Sequence, residues 1–141
     1  IGDGGGQVLR SALTLSLLTG RAFSMTHVRA SRPRPGLFPQ HLAAVQAAAQ
    51  ISAADVAGDR LGARELGFAP GAVQPGRYHF DIGTAGATSL VLQTLLLPLA
   101  LAPAPSSLSI SLLPVSMCFW IRMRSCCSLS ISAPGTSRMS V

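Results

Sequence analysis

Apolar residues recur at helical spacing in three stretches of this chain. The runs between them are short and so heavily punctuated by glycine and proline that only strands and turns fit there. That alternation restricts the fold more than any other feature. In the first stretch Leu9, Ala12, Leu13 and Leu17 share one face, and Gly20 stands where a C-terminal cap belongs. Residues 21–28, which include His27, then read as a strand with Phe23 and Met25 on one side and Ser24 and Thr26 on the other. Pro33, Pro35 and Pro39 exclude regular structure from residues 29–39. A second helix is expected from Gln40 to Ile51, with Leu42, Val45 and Ala49 on one face. Strands follow at 65–69 and 77–82, the latter holding His79, divided by a turn containing Pro70, Gly71, Pro75 and Gly76. A third helix runs from Thr84 or Ala87 to about Ala100, and Leu108 to Ser111 begins another strand. Helices mixed with strands in this order predict an α+β or α/β layering of helices on a sheet.

The chain has 141 residues, 48% hydrophobic and 11% charged, which fits one domain and excludes intrinsic disorder as its general state. Its 11 basic residues are all arginine and face 5 acids, a net charge of +6 that favours an anionic partner such as nucleic acid or nucleotide. The eight arginines and five acids among the first 81 residues differ by +3, and that part carries the phosphate argument. Residues 82–121 hold no formal charge, but their apolar core, Leu90 to Leu101, is broken by Gln93 and Pro98 and is too short to span a bilayer. Cys118, Cys126 and Cys127 suit neither a disulfide framework nor a metal-ligand spacing, so a reducing, cytoplasmic setting is expected. Beyond Ser111 the periodicity ends. Residues 112–141 lack acids and mix Cys, Met and Trp with Ser, and are expected to be disordered or to come from a shifted reading frame.

Three features point to phosphate. The run Gly2-Asp3-Gly4-Gly5-Gly6-Gln7 feeds straight into the first helix, where flexible backbone and exposed N–H groups favour an anion. It matches neither the dinucleotide fingerprint nor the P-loop, whose lysine this chain cannot supply, so a plain tight turn is the competing reading. Arg29, Arg32 and Arg34 crowd a proline-stiffened loop with no acid between Arg21 and Gln50. Arg10 joins them if the first helix points the same way. Gln40 and His41 open the second helix, where a histidine is either structural or catalytic. Gln93 interrupts the third helix as a buried hydrogen-bonding amide or a ligand contact.

Taken together, the blocks Asp3 to Ser16, Val28 to Leu37, Gln40 to Val45, Gly83 to Gly86 and Leu90 to Thr94 resemble the RNA 3'-terminal phosphate cyclase family over about residues 2–111. The resemblance implies repeated units of two helices on a four-stranded sheet, incomplete here: residues 1–111 would be the first unit without its first strand and the start of the second. It implies ATP and a divalent metal, Mg or Mn, as cofactors, and RNA 3'-phosphate ends as the partner. The activity implied is conversion of that phosphate to a 2',3'-cyclic phosphate through adenylylated intermediates, with a noncatalytic RNA-binding relative of ribosome biogenesis or a nonfunctional truncated product as alternatives. Asp3 stands where the family has a glutamate near phosphates and metal, and Arg10, Arg29, Arg32, Gln40, His41 and Gln93 match its nucleotide- or phosphate-binding positions. The family's nucleophilic histidine matches none of His27, His41 and His79, so no covalent AMP adduct is expected on this chain.

Overall fold

The computed structural model describes residues 5–82, 85–112, 119–124 and 128–132. Three helices, α1 (Gly6–Thr19), α2 (Pro39–Ser52) and α3 (Ala85–Ala100), accompany two sheets. The first sheet is built from β1 (Phe23–Met25), β2 (Asp55–Ala57) and β3 (Leu66–Ala69), in the antiparallel order β1-β3-β2. The second has the order β4-β5-β6-β7, from β4 (Arg77–Ile82), β5 (Ser106–Leu112), β6 (Phe119–Arg124) and β7 (Ser128–Ser132). Strands β4 and β5 are parallel and joined through α3, whereas β6 and β7 add antiparallel. The fold is α+β, as the alternation of patterns predicts.

Helix α1 buries Leu9, Leu13 and Leu17 on the predicted face and ends at Gly20, whose φ of 67° and N–H bond of 2.8 Å to the Ser16 carbonyl make a left-handed cap. Helix α2 buries more than one stripe. Ala44, Val45, Ala47, Ala48 and Ile51 are all enclosed, while Leu42 and Ala49 are half-buried, because small alanines let α2 lie close to both α1 and α3. One apolar cluster runs from α1 and α2 through Met25, Leu66 and Phe68 of the small sheet to Leu108 and Ile110 of the larger one. Burial of its Leu, Ile, Val, Met and Phe side chains contributes about 1.5–3 kcal/mol each.

Pro98 lies inside α3 and lacks the N–H that would bond the Thr94 carbonyl. The Thr14 hydroxyl of α1 donates to that carbonyl instead, at 3.2 Å. The proline gap thereby becomes a tie between two helices.

Three details differ from the sequence reading. Strand β1 stops at Met25 rather than Val28, because His27 takes φ 57° and leaves the extended conformation; His27 therefore lies in a turn, not on a strand. Strand β2 has no counterpart in the reading, since a three-residue strand with only Val56 half-buried gives almost no alternation to detect. Past Ser111, where no element is expected, the backbone forms β6 and β7 in register with β5. The three cysteines lie outside the described residues. No described helix is long and apolar enough to cross a membrane.

Candidate phosphate-binding site

Among the described residues no side chain caps the N-terminus of α1. Gly5 is its N-cap in extended conformation, and no acid occupies its first turn. The Gly5 carbonyl accepts the first helical bonds, from Val8 at 3.0 Å and Leu9 at 3.4 Å, while the earlier N–H groups project from the helix end and carry its partial positive charge. One turn on, Arg10 donates from Nη2 to Gln7 Oε1 at 2.6 Å. Its Nε is buried with no acceptor among the described residues. A buried guanidinium N–H left open is costly unless something anionic meets it.

His41 is 4% exposed, in the first turn of α2. Its Nδ1 accepts the Phe38 N–H at 3.2 Å, which satisfies an otherwise open donor at the start of α2 and puts the ring proton on Nε2. Burial first, and then the charges of Arg29 and Arg10, lower its pKa from 6.5 to about 4. His41 is thus a neutral donor at neutral pH. The ring lies against Gly6: a Cβ built there would overlap Nε2, approach Cδ2 to 2.9 Å and Arg10 Nη1 to 3.3 Å. Only glycine lets the imidazole reach this helix end.

Arg29 completes the group. Its guanidinium lies 3.7 Å from the centroid of Phe38, and Nη1 donates to the Gly36 carbonyl at 3.3 Å. The Phe38 ring in turn stacks on His41, with centroids 6.0 Å apart. Arg29 has φ 54°, left-handed for a residue that is not glycine, as does His27 two positions earlier. The loop is fastened by Gly36 N–H to Val28 O at 2.8 Å and by Leu37 N–H to Ala63 O at 3.0 Å.

The structure therefore brings Arg10, Arg29 and His41 together. Arg32 is exposed in the turn that follows Arg29, bonded through its N–H to the Arg29 carbonyl at 3.1 Å. Gln40 is half-buried beside His41 in sequence, and Gln93 is exposed on α3, so the buried-amide alternative for Gln93 does not hold. Asp3 lies outside the described residues. Gly6 and Gln7 belong to the glycine-rich run already singled out, but Phe38 escapes sequence reasoning because aromatic residues are ordinarily core. Its signal is positional: it fills an N-cap, where Ser, Thr, Asp or Asn is usual.

Donors borne by Arg10, Arg29 and His41 beside a helix N-terminus, with no acid of the described residues in its first turn, are the chemistry that would suit a multiply charged phosphate. The family model for RNA 3'-terminal phosphate cyclase matches residues 1–111. A protein of that name from Ectopseudomonas mendocina (strain ymp) is 59% identical over 108 residues, covering 77% of this chain and 32% of the relative. Another from Ralstonia nicotianae (strain ATCC BAA-1114 / GMI1000) is 56% identical over 110 residues, 78% of this chain and 32% of the relative. One from Koribacter versatilis (strain Ellin345) is 58% identical over 106 residues, 75% and 30%. The chain spans about a third of the length of these relatives. With residues 1–111 matched, a span that includes Arg10, Arg29 and His41, the chain belongs to the RNA 3'-terminal phosphate cyclase family.

Proposed function

We propose that this chain supplies the phosphate-binding corner of an ATP-dependent RNA 3'-terminal phosphate cyclase, which converts an RNA 3'-phosphate to a 2',3'-cyclic phosphate through adenylylated intermediates. The observation that carries the reading is Arg10 Nε, buried near the N-terminus of α1 with no acceptor among the described residues. In this reading Arg10 and Arg29 hold phosphate oxygens by charge-assisted bonds, and the Nε2–H of neutral His41 donates a further one. Such contacts would stabilise a pentacovalent phosphorus more than its ground state, as nucleotidyl transfer requires. Arg32, Gln40 and Gln93 are assigned outer contacts to nucleotide or RNA.

A divalent metal, Mg or Mn, and its ligand Asp3 belong to the same proposal. Among the described residues no three His, Cys, Asp or Glu side chains cluster as a metal set, and Asp3 lies outside them. The test is direct binding of fluorescent ATP to the 141-residue chain and to Arg10→Gln. Loss of a charge-assisted bond of about 1.5–3 kcal/mol predicts a tenfold to hundredfold weaker Kd with an unchanged thermal melt. Equal affinity would refute the assignment.

A further inference from the structure

The loop holding Arg29 does not stand alone. Val28 N–H donates to Arg64 O at 3.0 Å, and Gly62 N–H to Leu37 O at 2.8 Å, alongside the Leu37 to Ala63 bond. Gly36 sits so close that a Cβ there would overlap the Gly62 carbonyl. These bonds fuse residues 28–37 and 58–65 into one stiff surface carrying five arginines, Arg29, Arg32, Arg34, Arg60 and Arg64, against two acids, Asp59 and Glu65. Among the described residues neither Asp59 nor Glu65 forms an ion pair with an arginine of this surface, and the arginines outnumber these acids five to two. Arg60 and Arg64 are exposed, and they line an open cleft of about 620 Å³ with Ser24, Thr26, Leu61 and Glu65. This cleft includes none of Arg10, Arg29 and His41.

We propose that Arg60 and Arg64 hold the phosphodiester backbone of a single-stranded RNA whose 3'-terminal phosphate reaches the Arg10–Arg29–His41 corner, where the cyclase reading also places the phosphates of the ATP it reacts with. The proposal rests on the cyclase reading, which supplies the end of the strand. Its own support is the backbone coupling of the two loops. The Arg64 carbonyl is bonded at Val28, the residue before Arg29, so Arg60 and Arg64 extend, along hydrogen-bonded backbone, the arginine set of the loop that presents Arg29. A mononucleotide has no use for that extension, whereas a polyanionic strand does. The surface has exposed arginines, hydroxyls from Ser24 and Thr26 and no aromatic platform in the cleft, which suits backbone contact in preference to base reading.

The test uses the full chain, with anisotropy of two labelled probes: a 12-nucleotide single-stranded RNA ending in a 3'-phosphate, and a dinucleotide ending in a 3'-phosphate. Arg60→Gln/Arg64→Gln should weaken the 12-mer about tenfold at low salt. The slope of log K against log salt should become shallower by about 1.4, from two lost contacts on a single strand. The dinucleotide Kd should be unchanged. Equal 12-mer binding by the variant, or equal loss for both probes, would overturn the proposal, as would an acidic peptide that displaces the 12-mer more effectively than unlabelled RNA does. Failure of the unsubstituted chain to bind the dinucleotide would instead count against the cyclase reading, while a 12-mer still lost on substitution would leave the cleft assignment standing.

Discussion

Substituting Gly6 by alanine sets two effects of opposite sign against each other. Alanine favours the helical backbone over glycine by up to about 1 kcal/mol, so an unobstructed change would stabilise the chain. Here the added methyl would overlap His41 Nε2 and sit 2.9 Å from Cδ2. The imidazole cannot retreat freely, since it is enclosed, stacked on Phe38 and bonded at 3.2 Å to the Phe38 N–H. Overpacking of that kind costs about 1–3 kcal/mol. The expected net is about 1 kcal/mol of destabilisation, which at a urea slope of about 2 kcal/mol/M lowers the midpoint by about 0.5 M. Circular dichroism melts in urea measure it, and ATP anisotropy reads the displaced donor as weaker binding. In a His41→Ala background the obstruction is gone, so Gly6→Ala should be neutral or stabilising by up to about 1 kcal/mol, giving a coupling of about 1–2 kcal/mol in the double-mutant cycle. A Gly6→Ala chain as stable as the parent, with the same ATP affinity and no coupling to position 41, would refute the close-approach argument.

Three further outcomes follow from the same geometry. Because the folded His41 pKa lies near 4, below its unfolded value of 6.5, the unfolded chain binds the proton first; stability from this group is full above about pH 6.5 and declines as pH falls toward 4. His41→Gln should flatten that part of the urea midpoint profile, and an unchanged profile would count against it. Thr14→Val should cost about 1 kcal/mol in a thermal or urea melt, and most of that cost should vanish in a Pro98→Ala background, where residue 98 regains an N–H for the Thr94 carbonyl. Gly36→Ala combines a φ of 88° with overlap of the Gly62 carbonyl, and should cost about 2 kcal/mol or more in a urea melt while loosening RNA binding.

Much of this is legible in the sequence. Strong periodicity and a well-placed glycine locate α1 and its end, since Leu9, Leu13 and Leu17 have one apolar face to bury. The same reasoning misjudges α2, because alanine is small enough to be buried on two sides and the Leu42, Val45, Ala49 stripe carries only part of the contact. Short strands fail for lack of signal, as β2 does, or for local conformation, as β1 does at His27. In the site, Arg10, Arg29 and His41 are conspicuous by charge, by position ahead of helices and by family motif. Their meeting through Phe38 is not, because it depends on loop dihedrals and on a glycine contact between residues 35 positions apart.

The left-handed backbone at Arg29 has an evolutionary consequence. That conformation costs an arginine about 1–2 kcal/mol relative to glycine, which adopts it freely. The contacts of its guanidinium with Phe38 and the Gly36 carbonyl offset a similar amount. Selection for stability alone therefore has almost no preference between arginine and glycine at this position. A lineage released from phosphate binding would drift there early, and glycine or asparagine at position 29 would mark a relative that has kept the fold and abandoned the ligand.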